Sequence, residues 1–532
     1  MASLDFKTVN SLYEEFIQNN DPGITLMHFN DQPIKLLELK GKVCHYTNHL
    51  AKLGVKTGDC VGYTTPSCPE NFYLLLAISR LGAIAVPLFH MIPDISKTDT
   101  FKKSGAHIIV TTSQQYPSLN ECSVNANAEY KIITIDACLE AGYDLTIPID
   151  DENDFEYPGE EISPSLPLMK ASSSGTTGIP KSVIFTQSNI ASEILASMSL
   201  IPSYALKGNG ESSCSIAFPL STTGIVTILG LLFGGVCLNF SSDVSPIKYL
   251  QILSKWKSDI IAAPPSYFEA ILSLPSIDSY DLSNVKTLTS GMDFLSPSLV
   301  MRIKNRFVNL EGYSHGYGLT ETTNVVMVSK AHSLEELKNP PNVMKLIENC
   351  GNIIDVMDEN GARVPVGSEG ELYIKGLNVV NGYPDNPSET GKCFVDGWFK
   401  TGDIVRNEGN NTITLLGRKK YLIKRGGKSI SPIVVQDTIN TLDGVKDSAV
   451  VGVPHHLYGE MVVAFIVKNE GSDMNLRDIM RHFRSSLPSY MVPDQIAFID
   501  KIPKNAGVGK VDYESLKKLA EAEYLDIEAA EK

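Results

Sequence analysis

The sequence lacks the segments that carry a chain into or across a membrane. Its longest uncharged apolar run, residues 224–240, is about 17 residues long and contains four glycines, whereas a spanning helix needs about 20 apolar residues. We interpret this run as a buried helix that leads into a strand. The N-terminal Met-Ala-Ser-Leu-Asp-Phe-Lys has no apolar signal core, and the C-terminal Ala-Ala-Glu-Lys has no recognised address. The sequence therefore predicts a cytoplasmic protein without a membrane span.

Paired cysteines and an excess of basic residues are also missing. The nine cysteines include no Cys-x-x-Cys pair and none beside a histidine cluster, a distribution that fits reduced thiols in a cytosol. Lysine and arginine total 46 against 61 aspartate and glutamate residues, which gives a net charge of −15. This balance disfavours nucleic acid or an anionic membrane as the main partner, but it leaves room for a local basic site that binds an anionic substrate.

Length and periodicity predict an α/β protein with more than one domain. With 532 residues, 43% of them apolar and 20% charged, the chain exceeds what one hydrophobic core usually holds. Residues 60–63, 69–82 and 83–88 follow a strand–helix–strand pattern, which predicts parallel strands with crossover helices. The same alternation returns between residues 188 and 291. Residues 349–416 consist of short alternating strands broken by glycine and proline, which predict a small β-barrel.

Residues 171–182, Ala-Ser-Ser-Ser-Gly-Thr-Thr-Gly-Ile-Pro-Lys-Ser, are the most informative stretch. Hydroxyl groups, a lysine and glycines that turn backbone N–H groups toward an anion are typical of a phosphate-handling loop. A flexible Ser/Gly linker is one alternative, but the apolar run at 183–185 argues against it. A Walker-type loop is another, but Pro180 stands at its second glycine and has no N–H. The predicted phosphate-binding residues are Ser173, Ser174, Gly175, Thr176, Thr177, Gly178 and Lys181.

The order Ser-Ser-Gly-Thr-Thr-Gly-x-Pro-Lys resembles the signature loop of the adenylate-forming enzymes, which include acyl-CoA synthetases, peptide-synthetase adenylation domains and firefly-type luciferases. In that family the loop closes over the β and γ phosphates of ATP. The resemblance covers roughly residues 50–515. It implies an α/β fold with a large N-terminal adenylation domain, 1–417, built from two α/β subdomains plus the small β-barrel. A hinge at 418–421 and a smaller, mobile α+β C-terminal domain at 422–532 would follow.

Gly316-Tyr317-Gly318-Leu319-Thr320-Glu321 is the second informative motif. It is not a dinucleotide-binding fingerprint, because Glu321 occupies the third glycine position, and from the residues alone a solvated turn is an alternative. The motif resembles the family's Tyr-Gly-x-Thr-Glu, in which the threonine contacts the α-phosphate and the glutamate holds Mg²⁺, an ion that prefers carboxylate oxygens. The resemblance implies catalytic roles for Thr320 and Glu321, with Glu321 as metal ligand. It also implies nucleotide contacts for Tyr317 and Gly318.

The resemblance also assigns contacts to adenine and ribose. From the residues alone, Gly291 is equally well an ordinary glycine between a strand and a loop. In the family this place holds the adenine, so Gly291, Met292 and Asp293 are predicted to face the nucleotide, although they replace the usual Gly-Ala-Pro. Asp403 ends the stretch Gly-Trp-Phe-Lys-Thr-Gly-Asp and would otherwise cap a turn. The family's aspartate grips the ribose hydroxyls, a role that suits a carboxylate because it accepts two O–H bonds.

Four further roles near the C-terminal end follow from the resemblance alone. Arg418 corresponds to a nucleotide contact, Lys420 to the hinge residue, and Gly427 to a glycine that lines the tunnel for the thiol. The family's catalytic lysine lies in a Gly-Lys pair, which here is Gly509-Lys510. Spacing alone would not single out Lys510, because a lysine in a glycine-rich loop is most often simply exposed.

The resemblance implies an enzyme that joins a carboxylic acid to a thiol, with ATP and Mg²⁺. The acid would attack the α-phosphate of ATP to give acyl-AMP and pyrophosphate, and a thiol would then displace AMP. The leading prediction is an AMP-forming acyl-CoA ligase that uses CoA. The alternatives are a stand-alone enzyme that loads a carrier protein's phosphopantetheine arm, a luciferase-like oxygenation on the same scaffold, and a P-loop nucleotide hydrolase that would release ADP and orthophosphate.

Residues 216–223 restrict the identity of the acid. The peptide-synthetase branch holds the α-ammonium of its substrate with an aspartate here, whereas this stretch contains no acidic residue, so an amino acid is not expected. It resembles the Tyr-Pro-Leu-Ser-Ser-Pro-Gly of aryl-acid activators, but their polar anchor falls on Ala217, which disfavours a 2-hydroxybenzoate. Fatty or simple aryl acids are therefore predicted. Ala217, Ser221 and Gly316 are expected to line the acyl pocket.

Overall fold

The computed structural model of the chain describes residues 7–137, 145–146, 162–173, 181–206, 212–220, 224–338, 341–348, 350–504 and 511–530. Over these residues the fold consists of three β-sheets flanked by α-helices. The strands are β1 (Thr25–Phe29), β2 (Gln32–Lys35), β3 (Cys60–Tyr63), β4 (Ile84–Pro87), β5 (Ala106–Thr111), β6 (Lys131–Thr134), β7 (Pro167–Ser173), β8 (Lys181–Thr186), β9 (Ser213–Ile216), β10 (Cys237–Phe240), β11 (Ile260–Ala262), β12 (Thr287–Ser290), β13 (Gly312–Leu319), β14 (Asn324–Ala331), β15 (Val343–Leu346), β16 (Asn352–Met357), β17 (Glu369–Gly376), β18 (Phe394–Val395), β19 (Trp398–Gly409), β20 (Thr412–Arg418), β21 (Ile423–Arg425), β22 (Lys428–Ile430), β23 (Val445–His455), β24 (Gly459–Lys468) and β25 (Gln495–Phe498). The helices are α1 (Val9–Asn19), α2 (Leu36–Lys52), α3 (Glu70–Arg80), α4 (Asp94–Ser104), α5 (Tyr116–Asn125), α6 (Gln187–Met198), α7 (Gly224–Phe233), α8 (Pro246–Trp256), α9 (Pro265–Leu272), α10 (Pro297–Arg306), α11 (Pro387–Cys393), α12 (Pro432–Asn440), α13 (Leu476–Ser486) and α14 (Tyr513–Ala530).

The six-stranded sheet contains the hairpin of β7 and β8, the two strands that flank the predicted phosphate loop in the sequence. Its order is β6-β5-β3-β4-β7-β8, and all neighbours are parallel except the β7–β8 pair at the edge. Strands β3 and β4 are buried along their whole length, as expected when helices cover both faces of a parallel sheet. The strand–helix–strand unit predicted between residues 60 and 88 is confirmed.

The largest sheet joins a parallel half to an antiparallel half. Strands β1, β10, β9, β11, β12 and β13 are parallel to their neighbours in that order, and β14 then runs antiparallel to β13. The strands predicted as a small β-barrel continue this sheet, because β15 pairs with both β14 and β20. They also enclose a hydrophobic cluster of their own, which includes Met344, Leu372 and Val405.

The apolar run at 224–240 forms α7 and β10, and both elements are largely buried. This confirms the interpretation of the run as a buried helix followed by a strand. Among the described residues, no helix has both the length and the apolar character that a bilayer-spanning segment requires.

The third sheet lies in the C-terminal part of the chain. Its order is β22-β21-β24-β23, and β25 pairs with β24. Helices α12 and α13 contribute Ile439 and Phe483 to one hydrophobic cluster of this sheet, whereas α14 contributes Leu516 to a second. The predicted hinge, residues 418–421, lies where β20 ends and before β21 begins. The domain boundaries at 417 and 422 stay a prediction.

Candidate active site

The hairpin of β7 and β8 brings the two ends of the predicted phosphate loop together. Ser173 ends β7 and pairs with Lys181, the first residue of β8. Strand β8 leads directly into α6, where the Thr186 side chain accepts a hydrogen bond from the Asn189 backbone N–H in a capping box. Lys181 therefore begins a strand that runs directly into a capped helix. Predicted loop residues that lie outside the described part of the chain are Ser174, Gly175, Thr176, Thr177 and Gly178.

Lys181 is already paired inside the fold. Its Nζ donates to Glu389 Oε1 at 2.6 Å and lies 4.9 Å from the centroid of the Tyr383 ring. The hydrogen bond from Lys181 holds the pKa of Glu389 below its ordinary value. The Tyr383 hydroxyl in turn donates to Glu321 Oε1 at 2.8 Å. Burial, and then the charge of Glu321, raise the pKa of Tyr383, so this hydroxyl remains a donor at neutral pH.

Tyr383 and Glu389 are site residues that the sequence analysis missed. Tyr383 lies shortly before α11 and Glu389 in its first turn, and the Lys181–Glu389 contact joins residues 208 positions apart in the sequence. The local sequence gives no signal for Glu389, because the charged residues Asp385 and Lys392 lie on either side of the short stretch 386–391.

Thr320 and Glu321 lie in a short 3₁₀ turn between β13 and β14. Gly318 is required beside this turn, because a Cβ atom there would lie 1.2 Å from the Asn324 carbonyl oxygen. The Glu321 backbone carbonyl accepts a hydrogen bond from Val380 N at 3.0 Å. The motif therefore presents its threonine and glutamate on a turn that packs tightly against the preceding strand.

Asp403 connects two of the predicted nucleotide residues. Its carboxylate accepts from the Tyr317 hydroxyl at 2.5 Å and lies 2.9 Å from Arg418 Nε. Asp403 is only 4% exposed, so these partners offset the cost of burying its charge. Burial, and then the charge of Asp403, raise the pKa of Tyr317, which keeps its hydroxyl a donor. The adjacent ladder of β19 and β20 places Asp403 opposite Arg418.

The stretch after β12 lies next to the same motif. An added Cβ on Gly291 would be 3.4 Å from the Gly316 carbonyl oxygen, so the residue that follows β12 lies close to β13. Met292 has a φ of 71° and is 50% exposed, a backbone region that residues other than glycine seldom adopt. Strained backbone of this kind often lies at functional sites.

A cavity of about 530 Å³, which we call the central cavity, brings several predicted residues together. Its lining combines the phosphate-hairpin lysine with the 3₁₀ turn, the loop after β12 and the end of β20. Among the described residues that line it, six are cationic and three are carboxylates. The predicted residues in its wall are Lys181, Met292, Gly318, Thr320, Glu321, Arg418 and Lys420.

A second cavity of about 470 Å³, which we call the hinge cavity, shares Arg418 and Lys420 with the first. Its wall also includes Asp293 and, from the C-terminal part of the chain, Lys504 and Val511. Residues 505–510, with the predicted catalytic Lys510, lie outside the described residues. Described residues on both sides of that segment therefore line a cavity that adjoins the central one.

Gly427 and Lys420 lie on the C-terminal side of the site. Gly427 has a φ of 77° in the turn between β21 and β22, with no atom within 4 Å of the position an added Cβ would take. Lys420 Nζ is 4.3 Å from the centroid of the Tyr421 ring, and that ring stacks on Tyr513 at 4.5 Å. The tunnel and hinge roles of Gly427 and Lys420 stay predictions.

The predicted acyl-pocket residues fall at different places. Ser221 lies outside the described residues. Ala217 packs against the hydrophobic cluster of Leu288 and Tyr313. Gly316 instead faces Val325 and Leu200, whose side chains would be 3.1 Å and 3.4 Å from an added Cβ, so these side chains already pack closely against Gly316.

Two buried polar groups near Gly316 were not predicted. Within the described part of the chain, Thr289 Oγ1 and His315 Nδ1 have no hydrogen-bond partner. Burial lowers the pKa of His315 to about 4, so the ring is neutral at pH 7. Sequence pattern gave no signal for either group, because both lie on strands whose neighbours are apolar or small.

Two family models match separate parts of the chain. The family model described as "AMP-binding enzyme" matches residues 17–384, and the model described as "AMP-binding enzyme C-terminal domain" matches residues 435–510. The chain belongs to the AMP-binding enzyme family. The predicted membership in the adenylate-forming superfamily is thus confirmed.

Relatives cover nearly the whole chain. It is 26% identical to a feruloyl-CoA synthase from Amycolatopsis sp over 497 residues, which are 92% of this chain and 94% of that protein. It is 27% identical to a 4-coumarate–CoA ligase from Vanilla planifolia over 87% of this chain and 84% of that one. The crystal structure of ATP-bound MatB from Rhodopseudomonas palustris superimposes with a TM-score of 0.80 at 22% identity, over 97% of this chain and all of MatB. The predicted α/β fold class is confirmed.

Proposed function

We propose that the protein is an AMP-forming acyl-CoA ligase, which uses ATP to activate a non-amino carboxylic acid as acyl-AMP and then transfers the acyl group to CoA. The observation that carries the proposal is the central cavity, which joins Lys181, the Thr320–Glu321 turn and Arg418 in one wall. Family membership and the CoA-ligase names of the relatives point the same way.

The charge of the central cavity suits a polyphosphate. The chain carries a net charge of −15, yet cationic residues outnumber carboxylates six to three among the described residues that line this cavity. A cavity with a local excess of one charge concentrates ligands of the opposite charge. Lys181 would bind the β and γ phosphates, together with the loop residues 173–178, and Thr320 would contact the α-phosphate.

Glu321 fits the role of magnesium ligand. Only one of its oxygens, Oε1, accepts from Tyr383, and among the described residues no cluster of three or more His, Cys, Asp or Glu forms a metal site without substrate. Mg²⁺ commonly needs only one or two protein carboxylates when substrate phosphates and waters complete its shell. The ion, when bound with ATP, would offset phosphate charge.

Asp403, together with its partners Tyr317 and Arg418, would hold the nucleoside. Asp403 has two buried oxygens that Tyr317 and Arg418 already engage, and a ribose diol offers two further O–H donors to the same carboxylate. Gly291, Met292 and Asp293 would face the adenine. The α-phosphate would then lie between the nucleoside contacts and Lys181.

Formation of acyl-AMP then requires the carboxylate of the acid to approach the negatively charged α-phosphate of ATP. The acid's carboxylate oxygen attacks the α-phosphorus, the bond to the bridging oxygen breaks, and pyrophosphate leaves. Positioned cations lower this barrier because charge develops on the phosphoryl oxygens. Lys510 would bridge the acid and the α-phosphate. Lys504 and Val511 support this role, since both flank its segment and line the hinge cavity with Arg418.

The thiol step would use the same site after a rearrangement. CoA attacks the acyl carbonyl, and AMP leaves with its phosphate oxygen. Lys510 would block this approach, so a rotation about Lys420 would withdraw it and open a path past Gly427. The C-terminal domain contacts the N-terminal part through polar groups such as Asp437 and Ser298, which suits a contact that forms and breaks.

The substrate class is an aryl or fatty acid. Residues 216–223 carry no carboxylate to hold an ammonium group. The relatives are named for feruloyl and 4-coumarate substrates, so aryl-propenoic acids are the first to test.

The test is a panel of carboxylic acids scored by pyrophosphate release with ATP and Mg²⁺. CoA and a phosphopantetheinyl carrier protein serve as alternative acceptors. We expect AMP, pyrophosphate and an acyl-CoA; ADP with orthophosphate, or no pyrophosphate with any acid, would contradict the proposal. Lys510→Ala should mainly impair acyl-AMP formation and spare thioester formation from supplied acyl-adenylate. An equal loss in both steps would remove the assigned role of Lys510.

A further inference from the structure

Glu193 is a fully buried acid on α6 to which the proposed binding roles give no part. It is 0% exposed. Its Oε1 accepts from the hydroxyls of Ser197 and Thr227 at 2.8 and 3.1 Å, and its Oε2 accepts from Val325 N and Asn378 Nδ2 at 2.8 and 3.1 Å. All four donors are neutral groups. Because an apolar side chain commonly serves stability as well as a buried acid, these bonds suggest a role beyond stability.

The hydrogen bonds of Glu193 lead to the turn segment, residues 320–325, which contains the proposed magnesium ligand. The backbone of this segment is strained, with φ values of 54° at Thr323 and 100° at Asn324. It also packs so closely on Gly318 that a Cβ there would overlap the Asn324 carbonyl. A strained turn persists only where its surroundings hold it in place.

Three hydrogen bonds hold the turn segment at its start, middle and end. They are Val380 N to the Glu321 carbonyl at 3.0 Å, Thr323 Oγ1 to the Asn378 carbonyl at 2.6 Å, and Val325 N to Glu193 Oε2 at 2.8 Å. Asn378 also donates to Glu193, so the two side chains act as one unit. Since α6 follows β8 directly, this unit ties the turn segment to the phosphate hairpin.

Asn378 is itself fixed on its other side. Its Oδ1 accepts from Ser192 Oγ at 2.5 Å and from Asn352 Nδ2 at 3.0 Å. Both Asn378 and Glu193 are completely buried, where a fully satisfied polar network is rigid and specifies one arrangement.

We infer that Glu193 and Asn378 are positioning residues, which fix Glu321 relative to Lys181 through the turn segment. The inference rests on the proposed role of Glu321 toward Mg²⁺. Glu193 touches no substrate and acts through the backbone of Val325. A displacement of about 1 Å in such a turn can lower a catalysed rate about 100-fold.

The test compares two substitutions of Glu193. Glu193→Leu removes both acceptor oxygens. Glu193→Gln keeps a carbonyl oxygen for Val325 N and Asn378, and its amide can donate to the two hydroxyls, which can reverse their roles. Ser197→Ala is the matched control, because it removes a Glu193 bond that lies within α6 and does not reach the turn segment.

We expect Glu193→Leu to raise the Mg²⁺ concentration for half-maximal ATP binding about 10-fold and to lower the rate of acyl-AMP formation about 10- to 100-fold. ATP binding is measured by calorimetry. Hydrogen exchange in the peptide that contains Val325 should also become faster. For Glu193→Gln, the Mg²⁺ requirement and the rate of acyl-AMP formation should stay within about threefold of wild type. For Ser197→Ala, both quantities should match wild type.

A purely structural role would lower the yield or thermal stability of Glu193→Leu but leave the Mg²⁺ dependence of the folded protein unchanged, and that result would overturn the inference. If Glu193→Leu does not fold, Thr323→Val removes a single hydroxyl that bonds to Asn378 and should raise the Mg²⁺ requirement about 3- to 10-fold; no change would overturn the inference. Glu321→Gln is measured in parallel. An unchanged Mg²⁺ requirement there refutes the proposed metal role, whereas a change there without one in Glu193→Leu refutes only the positioning role.

Discussion

Replacement of Glu389 by glutamine is expected to tighten the binding of ATP. The Glu389 carboxylate lies 2.6 Å from Lys181 Nζ, where the proposed function places the phosphates of ATP. A triphosphate that approaches Lys181 must compete with this carboxylate. Glutamine keeps the size of the side chain and removes its charge, so the substitution acts mainly on that competition.

The magnitude follows from the exposure of the pair. The side chains of Lys181 and Glu389 are 10% and 22% exposed. The pair therefore lies between an exposed ion pair, worth about 0.2–1 kcal/mol, and a hydrogen bond to a charged group, worth about 1.5–3 kcal/mol. A competition of about 1–2 kcal/mol corresponds to a dissociation constant for ATP that is about 5- to 30-fold lower. Pyrophosphate should also bind more tightly and leave more slowly, which lowers kcat.

The assay is calorimetric titration of the purified enzyme with ATP and Mg²⁺ in the absence of acid. Glu371→Gln is the control, because Glu371 lines the same cavity but pairs with Lys419 at 3.1 Å. It removes the same charge without releasing Lys181. Weaker or unchanged binding of ATP by Glu389→Gln, or an equal gain in both variants, would refute the reasoning.

Two further predictions concern acid stability and the domain contact. Because burial lowers the pKa of His315 from 6.5 to about 4, the unfolded chain binds a proton between these pH values that the folded chain does not, so stability falls on acidification. His315 should account for about 2 kcal/mol of the decrease in the free energy of unfolding between pH 7 and pH 5. Urea denaturation of His315→Gln should therefore show a decrease that is smaller by this amount. An equal pH dependence of the unfolding free energy in wild type and variant would contradict this. Asp437 accepts from Ser298 Oγ at 3.0 Å, and Asp437→Asn should lower acyl-AMP formation about 3- to 10-fold relative to thioester formation. Single-turnover measurement of the two steps checks this, and a proportional change in both would count against it.

The parallel part of the fold could be predicted because its strands are short apolar runs between turns. Ile84–Pro87 is buried at every position, and its sequence shows this directly. The continuation of the sheet through β15 could not be predicted in the same way. Met344 pairs with Ile413, and contacts between strands so distant in the sequence leave no local periodic signal.

The candidate site also contains residues that were predicted from the sequence and residues that were not. Gly318, Thr320 and Glu321 were predicted from the resemblance of their motif to the family's Tyr-Gly-x-Thr-Glu, and all three line the central cavity, while their roles stay predictions. Glu389 could not be predicted, since its contact with Lys181 depends on how two distant segments pack. Glu193 lies on a helix that buries polar residues such as Gln187 and Asn189 together with apolar ones, and pattern alone does not distinguish a buried acid from a solvated one.

Part of the positive charge of the central cavity is paired with carboxylates before any substrate binds. Three of its cations have a carboxylate partner within 3.1 Å: Lys181 with Glu389, Arg418 with Asp403, and Lys419 with Glu371. In the proposed function, binding of ATP at Lys181 would exchange a carboxylate for phosphate, and the net free energy would be a difference between two sets of ion pairs rather than the sum of one set. The same partners are available to replace phosphate when pyrophosphate leaves. An enzyme that must bind a triphosphate and then release pyrophosphate and AMP from one cavity benefits from this exchange, because unpaired cations would hold the products as firmly as the substrate.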